Sequence, residues 1–335
     1  MKRIAVLTSA LCLLTTAFMF GQGQQAGQQQ GQQQQGQQQQ GQQQQGQRQG
    51  GGGRGQADPR DIGGGRCAAS PYNCVDTPNP LPAPDTVWLE EMTWMDVRDA
   101  MKAGKTTMII TTGGIEPNGP WLALGKHNYV LRANCDAIAR KLGDALCAPI
   151  LPFVPEGTID PPESHMRTMG TISMREETFQ AVLTDMVRSF KTHGFKNIIL
   201  IGDSGGNVAG MSAVAQKLNT EWNGSPVVAH IREYYDYASV AKYIEGQGLI
   251  KPGQGDGLHD DPIITMNMMM ADPNSVRWEQ RVKAGKATIN GVSIADKAKA
   301  LEIGKRIVAF RADVTVAKIK EAIANKGKPN GGGGE

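Results

Sequence analysis

Glu116, Asn118, Trp121 and His127 fall within a dozen residues of one another in TMIITTGGIEPNGPWLALGKH, behind an apolar β-branched run that ends in two glycines. Asp203, Ser204 and Asn207 follow a second aliphatic run in the same manner, and His165 and His259 lie in two more loops bearing Pro or Gly and carboxylates. Carboxylates and imidazoles brought together suit a hard or borderline divalent cation. No single spacing here is a metal motif, so the chemistry depends on whether the fold gathers the loops. His193 reads differently: it sits at a helix end, where a cation complements the dipole. His230 ends a predicted strand and reads either way. The string GDSGG at 202–206 matches the nucleophile segment of trypsin-like proteases, but those proteins are all-β, whereas this segment leaves an aliphatic strand and enters a helix. The match is coincidence; Ser204 as a nucleophile in another scaffold would need a histidine base within reach.

An open α/β sheet supplies the convergence, because loops at the carboxyl ends of neighbouring parallel strands meet in one cleft. The pattern predicts such a sheet. Residues 107–111 and 197–201 are continuous aliphatic or β-branched runs, the mark of strands covered on both faces. Further strands are expected at 148–154 and 226–231. Helices are expected over 130–142, from a capping box at Ser173 and Glu176 to Gly194, over 208–222, 238–244 and 263–270, and as two late helices at 294–310 and 314–323. The run from Met266 to Met270 reads as core packing. Strands alternating with helices place the chain in the α/β class.

The rest of the composition sets boundaries. Lys2 and Arg3 precede an apolar run to Phe20 and an abrupt change to Gly and Gln, which reads as a secretory signal over residues 1–22. Residues 23–66 hold almost no apolar side chains to offset chain entropy and read as a disordered linker. An irregular lead-in (67–86), one domain (87–325) and a disordered tail (326–335) complete the expected organisation. The net charge is only +3, with much of the arginine excess in the linker, so nucleic-acid binding by the domain is not indicated. The N-terminal apolar run is too short and too poorly flanked to indicate an integral membrane domain. Export to the periplasm or medium makes the four cysteines beyond Cys12 candidates for disulfides. Cys67 and Cys74 bracket a hexapeptide suited to a local staple; Cys135 and Cys147 either pair or stay as buried thiols.

Taken together, WLEEMTW at 88–94, the 109–127 segment, GTIS at 170–173 with His165 upstream, IILIGDSGGN, His259, and the late ADPNSVR and GVSIADKAKALEIGKR segments resemble the creatininase (creatinine amidohydrolase) family. The resemblance runs from about Trp88 to Ile323. It implies a layered α/β/α fold with a mostly parallel sheet, assembly as a homo-oligomer, and two divalent ions that activate water to open a small-molecule amide. It also implies roles. Glu116 matches the first metal-binding glutamate. Asn118 stands where a ligand histidine is usual, His127 where the bridging aspartate is, Ser204 where a later histidine is, and Gly206 where creatininase itself has a carboxylate. His259 matches a histidine that handles substrate or protons.

With the bridging carboxylate replaced, a binuclear centre is not expected. The resemblance then implies one Zn or Mn ion on Glu116, His127 and Asp203, with His259 beside it. Glu116 and His259 would be catalytic, and Asn118, Trp121, His165, Ser204 and Asn207 would contact a small amide substrate. The competing reading is a silent relative that binds a small molecule or partner in the inherited cleft. Metal content separates the two.

Overall fold

The computed structural model describes residues 58–328 apart from Leu258. The segment expected to be a signal sequence, most of the expected linker and the end of the tail lie outside the described residues. The chain divides at Thr77 into two units. In the first, a Cys67–Cys74 disulfide closes a small loop. Residues 58–66, assigned above to the linker, are built into it: Ile62 N donates to Asn73 O, Val75 N to Arg60 O, and Cys67 N to the Asp61 carboxylate at 2.7 Å. Backbone pairing, rather than apolar burial, orders this stretch, which is why composition alone does not reveal it.

The second unit carries the sheet. Strands β1 (Thr107–Thr112), β2 (Ala145–Cys147), β3 (Asn197–Gly202) and β4 (Val227–His230) are all parallel, in the order β2-β1-β3-β4. Side chains alternate between faces along a strand. Thus Met108, Ile110, Ile198 and Leu200 pack with Phe179, Leu183 and Val187 of helix α3 (Glu176–Thr192) and Met211, Val214 and Leu218 of α4 (Val208–Glu221). Ile109, Ile199 and Ile201 face α2 (Lys126–Leu142) and the C-terminal half of α8 (Lys297–Ala324). Beyond them lies a further layer of α5 (Tyr237–Gly246), α6 (Pro262–Ala271) and the hairpin of β5 (Thr288–Ile289) and β6 (Val292–Ser293). Helix α1 (Trp94–Lys102) opens on a true capping box of Thr93 and Asp96 and leads into β1, and α7 (Trp278–Lys283) follows α6. The α/β/α expectation holds, and Met266, Met268 and Met269 are core.

Three local expectations change. The second strand occupies Ala145–Cys147 rather than 148–154, because Pro149, Pro152 and Pro155 cannot donate to a ladder. That segment instead runs alongside β1 through isolated bonds such as Leu151 N to Thr111 O. Ser173 does not cap α3: its hydroxyl donates to Gly157 O at 2.6 Å and accepts from Glu156 N at 3.0 Å. The two late helices are one. Residues Ala300, Ile303 and Ile307 of α8 face the outer layer and Ala312, Val316 and Ile319 face the sheet, so the apolar phase shifts without a break in the helix.

His230 ends β4, its Nδ1 2.8 Å from Ser212 Oγ. Burial, and then the charge of Arg232, push this imidazole down to about 4. The unfolded chain takes up the proton below about pH 6.5, whereas the fold refuses it until about pH 4. Stability is therefore lost as the pH falls through that window, by at most about 3 kcal/mol. Urea unfolding of His230→Asn at pH 7 and pH 4.5 should show a smaller loss than the parent; equal losses would count against this linkage.

Candidate active site

Glu116 sits just beyond β1 with its side chain almost wholly buried. The glycines before it permit the approach of other chains: a Cβ on Gly114 would lie 2.2 Å from Glu156 Oε1 and 3.0 Å from the His127 ring. Glu116 Oε1 lies 2.8 Å from Lys126 Nζ, 3.0 Å from His127 Nε2 and 3.5 Å from His259 Nε2. Its Oε2 lies 2.9 Å from His165 Nδ1, which is also 3.1 Å from Glu156 Oε2. The His165 and His259 rings meet edge to face, 5.1 Å between centroids. Four loops thus deliver three imidazoles, two carboxylates and an ammonium to one place.

Each is held from behind. His127 lies in the first turn of α2, not in the preceding loop, and its Nδ1 is 2.9 Å from Asp203 Oδ2. Asp203 is fully buried; its Oδ1 accepts from Arg311 Nη2 at 2.8 Å, and Tyr237 OH lies 2.8 and 2.9 Å from its two oxygens. Glu156 is fixed by the Ser173 hydroxyl at its own amide. His259 rides on a turn that Asp261 ties down, its carboxylate accepting from the amides of Asp256, Gly257, Ile263 and Ile264.

The electrostatics follow the geometry. Burial favours a neutral Glu116, but the hydrogen bond and charge of His127 and the charge of Lys126 prevail and hold it well below the ordinary carboxylate range. Burial, and then the negative Glu116, push Glu156 up to about 7. Burial opposes charge on His127, yet Asp203 and Glu116 raise its pKa overall; burial opposes charge on Asp203 too, yet Arg311 and His127 keep it low. Burial, and next the Lys126 charge, lower His259.

Glu116, His127, His165 and His259 therefore meet, as the sequence suggested, and Glu156 joins them. Glu156 lies between Pro155 and Gly157 at the end of an apolar segment, a turn setting for an acid, and that was the signal available. Asp203 is placed differently: both its oxygens are engaged by His127, Tyr237 and Arg311, so it stands behind His127 rather than among the groups that face the cleft. Asn118 and Asn207 are buried and turned to the backbone. Asn118 Nδ2 donates to Glu116 O and Ala123 O, and Asn207 Nδ2 to Thr112 O and Gly113 O. Their amides hold the glycine loop in shape. Trp121 packs against the outer layer, with Arg281 Cζ 5.7 Å from its ring, and Ser204 is buried, its carbonyl accepting from Asn207 N.

Two sets of donors have the composition and closeness for a cation, with ligand atoms within 4.8 Å: Glu116, His127 and Glu156, and Glu116, His165 and His259. In the first set, His127 Nε2 faces Glu116 Oε1 at 3.0 Å, while Glu156 Oε1 is buried without a hydrogen-bond partner. Buried polar atoms are seldom left so. The backing of His127 by a carboxylate on its far nitrogen is the usual support of a metal-bound imidazole. The donors fit a divalent ion.

The family model described as "Creatinine amidohydrolase" matches residues 90–329. A mutant creatininase complexed with creatine has the same fold at 18% identity, with a TM-score of 0.51 over 71% of this chain and 99% of that one. A putative creatinine amidohydrolase from Bacteroides fragilis NCTC 9343 is 19% identical, with a TM-score of 0.50 over 72% of this chain and 97% of that one. The 3-dehydro-scyllo-inosose hydrolase of Thermotoga maritima is 25% identical over 122 residues, and this match spans 37% of that relative's length.

Proposed function

Because the chain belongs to the creatinine amidohydrolase (creatininase) family, we propose that it is an exported hydrolase that opens a C–N amide bond of a small molecule at a remodelled, single-ion site. The observation that carries this is the buried, unpartnered Glu156 Oε1 in one donor set with His127 Nε2 and the Glu116 carboxylate. Glu116, His127 and Glu156 would hold the ion. Zinc and manganese are the natural candidates for such a nitrogen and oxygen donor set. When bound, a divalent ion polarises a carbonyl and lowers the pKa of water.

The chain's own groups supply the rest. His259 stands at the mouth of the site, about two-fifths of its side chain exposed, and its lowered pKa keeps it neutral near pH 7. It is suited to take a proton from the attacking water as the new C–O bond forms, and to return it to the nitrogen as the C–N bond breaks. His165, its ring against that of His259, positions the base and lines the approach. Asp203 and Arg311 keep His127 fixed with its Nε2 toward Glu116. Export draws support from the cysteines, all four of which beyond Cys12 are paired, as Cys67–Cys74 and Cys135–Cys147.

Protein recovered from the periplasm or medium should begin between residues 17 and 25, resist thiol alkylation without reductant and carry about one divalent ion per chain. It should hydrolyse some member of a panel of cyclic and linear amides, creatinine poorly, and lose that activity to a chelator until Zn or Mn is restored. Metal-free protein that is inactive across the panel would overturn the reading.

A further inference from the structure

The two donor sets share Glu116, so on composition alone the cleft could take two cations, one on each side of that carboxylate. One side already holds a cation. Lys126 opens α2 immediately before His127, is only 3% exposed, and has its ammonium 2.8 Å from Glu116 Oε1. The same oxygen faces His127 Nε2 and His259 Nε2, and the Lys126 charge bears on both imidazoles. Lysines are almost never buried to this degree unless paired. Here the pairing partner is the very carboxylate that a second ion would need. We propose that the Lys126 ammonium is a tethered cation standing in place of a second metal ion, so that the cleft holds one ion and one ammonium.

This rests on the single-ion reading of the site and adds to it a reason for the count. An ammonium and a divalent ion on one carboxylate oxygen would repel at a few ångströms in a poorly screened interior, where like charges are felt most strongly. The ion excluded is one on Glu116 Oε1, the oxygen that Lys126 Nζ already holds at 2.8 Å. Oε2, on the side of His165, and the unpartnered Glu156 Oε1 stay available to the ion that remains. Glu116 remains an anion because one fixed and one exchangeable cation offset it. The position of Lys126 on the first turn of α2 means that the helix sets the place of its stem, so the charge does not wander.

The test is a count of Zn per chain by native mass spectrometry and elemental analysis on the full mature protein, stripped with chelator and reloaded with Zn alone. The parent should hold one ion, Lys126→Met and Lys126→Gln two, and Lys126→Arg one, with melting curves showing that each variant is folded. Two ions in the parent would overturn the inference whatever the variants do. So would equal counts in the parent and in folded Lys126→Met and Lys126→Gln. No ion in the parent but one or more in Lys126→Met would overturn the single-ion reading while upholding Lys126 as the excluding cation; no ion in either would overturn both.

Discussion

Glu116→Gln is expected to empty the cleft of metal and to weaken the fold in the same stroke. Glu116 is common to both donor sets, so no ion can be held as before when its charge is gone. Metal affinity should fall by more than the roughly 10–100-fold that follows loss of an outer partner of a ligand, and amide hydrolysis should fall with it. The stability cost comes from Lys126. Its ammonium, 2.8 Å from Glu116 Oε1 with both side chains almost fully buried, would lose its counter-charge. Breaking a buried pair on one side costs about 3–5 kcal/mol, whereas removing both partners costs far less. Glu116→Gln with Lys126→Met should therefore recover much of the stability and none of the Glu116-dependent metal binding. Chemical denaturation and metal titration of the two single variants and the double variant separate the contributions. A Glu116→Gln protein that kept one ion per chain at an affinity within tenfold of the parent would show that the centre lies elsewhere.

The strands and the cleft's first carboxylate were legible because their signals are local. Residues 107–112 and 197–202 carry unbroken apolar runs that only a doubly covered strand uses, and each empties into glycine and an acid. Glu156 follows Pro155 directly, and the three prolines of its segment spoil the strand pattern that would have drawn attention to the loop. Lys126 was hidden for another reason. A lysine beside a histidine at a helix start looks solvated, and only the tertiary approach of Glu116 makes it a buried cation. The role of Asp203 could not be read from its loop at all, since what distinguishes a ligand from a support is the identity of the group behind it. That group, Arg311, is more than a hundred residues away on α8, in the middle of a helix where an arginine usually faces water. The family resemblance implies ligand positions at Asn118, His127 and Ser204 that carry other residue types here, but the approach of Glu156 and His165 to Glu116 follows from packing, not from position along the chain.

Arg311 is where a second loss of stability of the same size is expected. The residue is 3% exposed and both terminal nitrogens are engaged: Nη2 donates to Asp203 Oδ1 at 2.8 Å and Tyr234 O at 3.0 Å, and Nη1 donates to Tyr237 OH at 3.1 Å and Asn267 Oδ1 at 3.3 Å. The rings of Tyr234 and Tyr237 lie 4.2 and 4.6 Å from its Cζ. Arg311→Met keeps apolar bulk but leaves the wholly buried Asp203 with His127 as its remaining ionic partner, at a cost of about 3–5 kcal/mol. Lysine should rescue little, because a single ammonium cannot reproduce the planar fork that reaches four acceptors. The pH dependence has a definite sign. Asp203 is held below the ordinary carboxylate range, chiefly by Arg311 against the pull of burial, so it contributes stability above about pH 4 that fades as the pH falls through the depressed value. Without Arg311 that contribution shrinks, and the acid limb of the stability curve should flatten. The double variant Arg311→Met with Asp203→Asn should regain part of the loss, yet metal affinity should stay reduced roughly 10–100-fold, since His127 is then no longer backed by a charge. Urea unfolding from pH 3 to pH 7, with metal titration of the same proteins, checks both limbs. A loss under about 1 kcal/mol for Arg311→Met, with unchanged metal affinity, would show that the Arg311–Asp203–His127 chain does not support the site.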